Sequence, residues 1–521
     1  MSNLNITKVH LLSVPLENDY KHTIYFNNKE SQINYFLSKK VKSFDDFTYQ
    51  RKDGIIRINS DYDSIYQCNY VAYQNTAVNN KWFYAFIKEI NYVSTDVTEL
   101  KIETDVIQTW LFDYEIKPSF VEREHVSDDT IGLHTIPEGL ETGDYVCTAK
   151  YIDDKINKTN LVLAYTDYAN SKYNVQGLKY GGIYSGMGYS VFPNNSTGVG
   201  QLNTLLNSYD DEAKADGINS IFIAPQFISG GSIDGASTLG PSDEPQTYDQ
   251  EYTKLTSLNG YTPRNKKLLT HPYVYLMVSN NAGTSVIYKQ ELFSTEKMGF
   301  TVRGTLTPGC SIRMEPKFYK VIALNNEEGI NAGKFPICCW NSDAFTNWMT
   351  SNAVNVNLGA VGGIASVIGG VAAIATGAGA LVGAGMIAGG VMAIGNSMAQ
   401  VNQASMVPDQ SRGNTNCGDV ITGARQNTFY FYSMSIKNQY ARIIDKYFDM
   451  FGYKVNDVKV PNKAHRSRYW YTKTIDINID GKIPVNDIGK IKDCYNNGIT
   501  FWRNADEIQN YELSNGIAIV D

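Results

Sequence analysis

The sequence predicts a mainly β protein with a few α-helices, built from β-barrel or sandwich domains and carrying one long apolar, glycine-rich loop. Three observations predict this class. Short runs rich in aromatic and β-branched residues follow one another between residues 53 and 110 and again between 273 and 323. The chain holds 36 Tyr and 21 Phe, side chains suited to a pleated, half-buried surface. From Ala344 to Pro408 there is not one Asp, Glu, Lys or Arg.

Taken in order, GIIRINS (Gly54 to Ser60), YQCNYVAYQN (Tyr66 to Asn75), KWFYAFIKEINY (Lys81 to Tyr92) and ELKIETDVIQTWL (Glu99 to Leu111) read as successive strands. In the last, Leu100, Ile102, Thr104 and Val106 fall on one face, with Lys101, Glu103 and Asp105 on the other. That period of two marks an antiparallel strand with one wet face. Asn203 to Ala215 reads as a short helix, and Ser229 to Gln250, rich in Gly, Ser, Pro and acid, as a long exposed loop. YVYLMVSNNAGTSVIYKQELF (Tyr273 to Phe293) turns back through Asn280-Asn281-Ala282-Gly283, a composition that tolerates positive φ. Ile436, Tyr440, Ile443, Ile444, Tyr447, Phe448 and Phe451 recur at helical spacing and end at Gly452, a C′ residue. The expected division is a β-rich domain over 1–150, an intermediate domain over 151–263 with its loop at 229–250, a second β-rich domain over 264–345, the apolar loop over 346–408 and an α+β part over 409–521. No internal repeat is visible.

The 521 residues suffice for two to four domains. Lys plus Arg total 46 against 53 acids, a net charge of -7, with no cluster of five like charges. A protein that grips nucleic-acid phosphates is thereby disfavoured, whereas one that lets nucleic acid pass is not. The first thirty residues lack the apolar core of a secretory signal, which implies synthesis and folding in a cytosol. Seven scattered cysteines predict reduced thiols, with Cys338 and Cys339 as neighbouring strand residues. The six histidines (His10, His22, His125, His134, His271, His465) are dispersed, and His271 before Pro272 reads as packed beside a strand. Metalloprotease, nucleophile-elbow, Walker A and dinucleotide motifs are all missing. Asp128-Asp129, Asp210-Asp211-Glu212 and Glu327-Glu328 read as solvated loops, although a glycosidase needs no proximity of its two acids in sequence. No catalytic, cofactor or metal site is expected.

The charge-free window is the exceptional feature, since a chain of this composition should place roughly twelve charges there. Its most apolar part, Leu358 to Ile394, is too long for one transmembrane helix at about 55 Å but folds at Thr376-Gly377-Ala378-Gly379 into two arms of about one bilayer thickness. Leu358, Val361, Ile364, Val367, Ile368, Val371 and Ile374 furnish the first arm; Leu381, Val382, Met386, Ile387, Val391 and Ile394 furnish the second. Gly359 and Gly363, Gly379 and Gly383, and Gly385 and Gly389 have the spacing that lets helix backbones approach. Three readings compete: a permanent transmembrane hairpin, a glycine-rich helix pair buried in a core, and a conditional loop deployed into a bilayer. About twelve glycines at ~1 kcal/mol each against Ala make a permanent helix fragile. A buried pair would use more Leu and Phe, because Gly buries almost nothing. The conditional loop fits best, and several copies released together would gain by multivalency.

Across its length the chain resembles the tail knob proteins of short-tailed phages of the phi29 type. The resemblance rests on VPLENDYKHTIYF (Val14 to Phe26), NKWFYAFIKEINY (Asn80 to Tyr92), IETDVIQTWLFDYEIKPSFVEREHV (Ile102 to Val126) and IPEGLETG (Ile136 to Gly143). It continues in LLTHPY (Leu268 to Tyr273), the apolar segment, FGYKVNDVKVPN (Phe451 to Asn462) and NNGITFW (Asn496 to Trp502), and is weakest over Tyr165 to Pro263. It implies a non-enzymatic structural protein: a homo-hexameric, tail-tube-like conduit for genomic DNA at the distal end of the virion tail, contacting a connector or lower collar and tail fibres. It also implies that the loop Asn352 to Met406 plugs the lumen and later penetrates the host cytoplasmic membrane. Rival readings are a wall-degrading hydrolase, a receptor-binding adhesin and a pore-forming toxin.

Overall fold

The computed structural model describes residues 7–47, 54–75, 80–166, 179–180, 183–184, 187–211, 218–230, 237–238, 246–307, 309–339, 412–413, 426–463 and 466–518. Strands predominate, and the chain divides into two compact units. Unit 1 comprises Met1–Gly143, Gly260–Leu268 and Asn438–Asp521; unit 2 comprises Asp144–Asn259 and Leu269–Lys437.

Unit 1 is built on an antiparallel sheet whose described strands run in the order Lys40–Phe47, Thr7–Leu12, Tyr70–Asn75, Trp82–Ser94, Val97–Thr104, Ile55–Ile58. The pleat separates its side chains by parity. Tyr70, Ala72, Tyr84 and Phe86 enter one core cluster beneath the helix Lys29–Ser38, whose Phe36 lies 4.4 Å from Tyr84 and 5.4 Å from Tyr70 between ring centroids. Val71, Tyr73, Phe83 and Ala85 enter a second cluster with Trp470, Ile499 and Phe501. These last belong to a second sheet, ordered His22–Ile24, Ile499–Trp502, Tyr469–Ile475, Ser119–Glu124, Tyr453–Lys459. Burial on both faces explains why Tyr70 to Tyr73 and Phe83 to Phe86 are apolar at every position rather than alternating.

The expected alternation from Leu100 holds as far as Ile102 and then stops, Glu103 and Thr104 being equally half-buried. Thr98, Leu100 and Ile102 are buried while Lys101 is exposed, but Val106–Trp110 is a helix. Asp105 makes the switch: its Oδ1 accepts from Gln108 N at 3.0 Å and its Oδ2 from Tyr70 Oη at 2.7 Å. Far from lying on a wet face, Asp105 is 1% exposed, and burial pushes its carboxyl up to about 6.

The helix Asn438–Phe451 ends at Gly452 as its sequence predicts, with φ +64 and Gly452 N donating to Phe448 O at 2.8 Å. Its buried face is rotated from the expected stripe. Ile443 is 66% exposed, whereas Asp445 and Asp449 are buried with Ala441, Ile444 and Phe448. Asp445 accepts from Tyr261 Oη and from the backbone N–H groups of Arg264 and Asn265, so this helix face satisfies donors of the Gly260–Leu268 segment.

Unit 2 carries three larger sheets among its described residues. One is ordered Ser237–Thr238, Met187–Pro193, Thr159–Thr166, Ile218–Pro225, Ile337–Cys339, Arg412–Gly413. A second is ordered Tyr145–Ile152, Tyr430–Ile436, Val274–Ser279, Ser285–Tyr288, and its last two strands form the hairpin expected at Asn280 to Gly283. Asn281 and Gly283 there have φ +55 and +95. The third joins Gln246–Thr253 to Lys297–Thr305, Ser311–Tyr319 and Ile322–Leu324. Gln246–Thr253 therefore has a ladder where composition suggests a loop; only its Tyr252 is buried. The helix expected over Asn203 to Ala215 is present and begins earlier, spanning Ser196–Asp211. One apolar cluster, including Leu163, Phe222, Phe300 and Phe431, unites the unit.

Candidate functional site: the base of the apolar insertion

The thirteen residues singled out in the apolar segment, Leu358 through Ile394, lie outside the described residues, as does the whole range Asn352 to Met406. What the structure describes is where this segment leaves and rejoins unit 2. On the incoming side, Ile330–Asn331 pairs with Arg313 and Met314, and Ile337–Cys339 pairs antiparallel with Ser220 to Phe222. On the outgoing side, Arg412–Gly413 pairs with Cys338 and Cys339, which among the described residues closes a two-residue stem around the 72 positions from 340 to 411. The outgoing arm continues into Tyr430–Ile436, which lies between Tyr145–Ile152 and Val274–Ser279.

Each arm has its own anchor. Phe335 is 3% exposed and belongs to the unit 2 core; its N–H donates to Gly309 O at 3.3 Å, and Ala332 N donates to Ile312 O at 2.9 Å. Phe429 and Phe431 are fully buried, Phe431 lying 4.1 Å from Tyr252 and 5.6 Å from Phe300 between centroids. Ser433 and Ser435 share the face of Phe431, while Tyr430 and Tyr432 stack on the other face beneath Lys150.

Asn427 clasps the two arms. Buried at 1% exposure, it donates through Nδ2 to Lys334 O at 3.1 Å and Gly333 O at 3.3 Å. Gly333 is required for this approach, because a Cβ there would stand 2.8 Å from Asn427 Oδ1. Beside the clasp, Thr428 Oγ1 donates to Asp153 O and Asp153 N donates to Phe429 O at 3.1 Å. The Asp153 carboxylate in turn accepts from Tyr248 Oη and Lys155 N, and burial raises its pKa. Cys310, on the incoming side, points its thiol at Ile223 O at 3.6 Å, and burial pushes that thiol up to about 12, so it remains protonated. The arrangement is mechanical in character: two arms fixed in a core by aromatic anchors, one side-chain clasp, and a minimal ladder at the sheet edge. At ~0.5–1.5 kcal/mol per hydrogen bond, a ladder of this size contributes on the order of 1–3 kcal/mol.

Cys68, Cys147, Cys310 and Cys494 are free thiols, and Cys338 and Cys339 are backbone neighbours in a strand. Among the described residues no group of three or more His, Cys, Asp or Glu is placed to hold a metal ion, and no helix is long and apolar enough to cross a membrane. Of the acid pairs read as solvated, Asp128 and Glu327 are exposed, but Asp129 is engaged: it accepts from Tyr453 Oη at 2.6 Å and Lys266 N at 3.0 Å. Sequence reasoning missed Asn427 and the Arg412–Gly413 strand. The one available signal was Asn427-Thr428 directly before the alternating run from Tyr430.

Residues 236–516 match the family described as Bacillus phage phi29, tail knob protein gp9, C-terminal domain, and residues 5–115 match the caudoviral major tail protein N-terminus. The chain is 26% identical to the tail knob protein gp9 of Bacillus phage PZA and 27% identical to that of Bacillus phage B103, the two comparisons covering 98% and 99% of this chain and 99% of each relative. Among solved structures it is similar to the bacteriophage C1 tail knob protein gp12, with a TM-score of 0.65 at 16% identity over 98% of this chain and 100% of that one. The fold is thus that of a tail knob protein, as the resemblance implied. Since the first match takes in more than half of its length, the chain belongs to the phi29 tail knob protein family and is a structural component of a phage tail.

Proposed function

We propose that this chain assembles as a homo-hexameric tube at the distal end of the tail, conducts genomic DNA during ejection, and carries in residues 346–408 a plug that is released to penetrate the host cytoplasmic membrane. The observation that carries this reading is the 65-position charge-free run from Ala344 to Pro408, inserted in unit 2 where, among the described residues, Cys338 and Cys339 pair with Arg412 and Gly413. A segment that avoids charge over such a length is made for an environment other than water. The firm anchoring of both arms below the stem lets the segment move without unfolding the body that holds it. The net charge of -7 suits a conduit, because each cation that neutralised a phosphate would retain the DNA through counterion release. The role is non-enzymatic, and the other tail proteins it meets are the connector or lower collar and the tail fibres.

The test is deletion of Leu358 to Ile394. Negative-stain microscopy should show sixfold rings or short tubes for both proteins, and only the intact protein should release dye from liposomes. Failure of the deleted chain to assemble would make the segment part of a core, and undiminished leakage would remove its membrane role.

A further inference from the structure

Unit 1 contains an aromatic cavity of about 190 Å3 that plays no part in the proposed conduit. Seven of its fourteen described lining residues are aromatic, and three more are Leu111, Ile116 and Pro461. The core itself fixes these walls. Trp470 stacks on Phe501 at 5.4 Å between centroids, Tyr25 meets Trp470 nearly edge-on at 4.9 Å, and the Tyr114 and Tyr495 hydroxyls bond to each other at 3.1 Å. Rings locked against their neighbours in this way leave the space preformed.

A single charge lines the space. Lys463 is the one cation among the described lining residues, and no Asp or Glu is among them. It is an exposed residue at the rim, yet burial lowers the pKa of its ammonium. Among the described residues burial does this to two other lysines, and each has an acceptor: Lys254 Nζ donates to Phe293 O at 2.7 Å, and Lys267 Nζ pairs with Glu138. Lys463 has neither a hydrogen bond nor an ion pair among the described residues. Glu115, the carboxylate that acts on it from a distance, is held by Lys117 at 2.5 Å. A partly desolvated ammonium without an acceptor gains when a guest supplies one, most of all an anionic one. The walls select the rest of that guest, because aromatic side chains receive a flat ring on face or edge. A cationic ring, which aromatic walls would otherwise attract, is repelled by Lys463. An apolar cavity of ~150 Å3 holds benzene, so about 190 Å3 accommodates one ring and one small substituent.

We propose that this cavity binds a single aromatic ring carrying one carboxylate, the ring held among the aromatic walls and the carboxylate accepting from Lys463 Nζ. The experiment is ligand-observed NMR on the full-length chain with four probes: benzoate, its neutral isostere benzamide, the cation benzylamine, and acetate, which has the charge without the ring. Benzoate should bind about tenfold more tightly than any of the other three. Lys463→Met should level benzoate with benzamide, and Lys463→Glu should reverse the order in favour of benzylamine. Thermal melting should be unchanged in both variants, because Lys463 is exposed. Absence of benzoate binding, equal binding of benzamide or acetate by the parent chain, or a preference for benzoate that survives Lys463→Glu would each overturn the assignment.

Discussion

Replacing Asn427 by alanine tests whether the base of the insertion opens as a unit of its own. The substitution removes two neutral hydrogen bonds, to Lys334 O at 3.1 Å and Gly333 O at 3.3 Å. Each contributes ~0.5–1.5 kcal/mol, and the part-buried carbonyls can recruit water, so the loss should be about 1–2 kcal/mol. Because ~1.4 kcal/mol is a factor of ten, amide exchange across Gly333 to Cys339 and Thr428 to Ile436 should quicken about tenfold where local opening governs it. Exchange in Tyr70–Asn75, at the centre of a unit 1 sheet, should not change. If the chain forms the proposed membrane-active ring, assembled rings of Asn427→Ala should also release liposome contents sooner than the parent. Exchange that quickens equally in every strand, or not at all at the two arms, would refute the idea that the clasp holds a separately movable element.

Asp105→Asn keeps the Oδ1 acceptor for Gln108 N but removes a fully buried charge whose pKa is raised from 3.8 to about 6, chiefly by burial. A carboxyl raised in the folded state contributes stability below its unfolded pKa that is lost as pH rises through its folded one. The contribution of Asp105 should therefore fall by roughly 2–3 kcal/mol between pH 4 and pH 7, so the stability of the variant relative to the parent should rise by that amount over the same window, with melts followed by Trp fluorescence, to which Trp82, Trp110, Trp470 and Trp502 of unit 1 contribute. Gly452→Ala should lower stability by on the order of 3 kcal/mol or more, since φ is +64 and a Cβ would stand 2.1 Å from Glu124 O. Unchanged melting of that variant would show that the helix end adapts.

Local signals were legible in the sequence, and those that depend on a distant partner were not. The start of the alternation, from Leu100 to Ile102, and the turn at Asn281 and Gly283 are encoded in neighbouring residues, and both appear where expected, whereas the predicted continuation of the strand through Asp105 and Val106 does not. Asp105 did carry a signal, an N-cap residue with Gln108 three positions on, but β-branched Val106 and Ile107 obscured it by continuing the apparent strand. Gln246–Thr253 is polar because it is an edge strand with a mostly exposed surface, and its partner Lys297–Thr305 lies far along the chain. The helix face was misjudged for a related reason. Apolar periodicity selects Ile443, yet Asp445 is buried because four donors on the Gly260–Leu268 segment need an acceptor. At the insertion, composition marks the segment itself, whereas the clasp depends on Asn427 meeting two carbonyls more than ninety positions earlier.

On the proposed reading, the glycine content of the insertion and the slightness of its stem answer one requirement, that the segment be stable in neither place by much. About seven Leu, Ile, Val and Met in each arm favour the bilayer by a few tenths of a kcal/mol apiece for the first three, whereas each glycine disfavours helix by ~1 kcal/mol against alanine. One copy therefore stands near balance, and a stem on the order of 1–3 kcal/mol is enough to retain it. A leucine-rich segment would insert singly, but it would also present a large apolar surface to water before assembly and aggregate. Near balance, the deciding term becomes the number of copies held together, since a tethered neighbour adds its small bias without a further cost of encounter. Membrane activity then belongs to the assembled ring rather than to the free chain, and a core that grips both arms of every insertion keeps the copies together while they move.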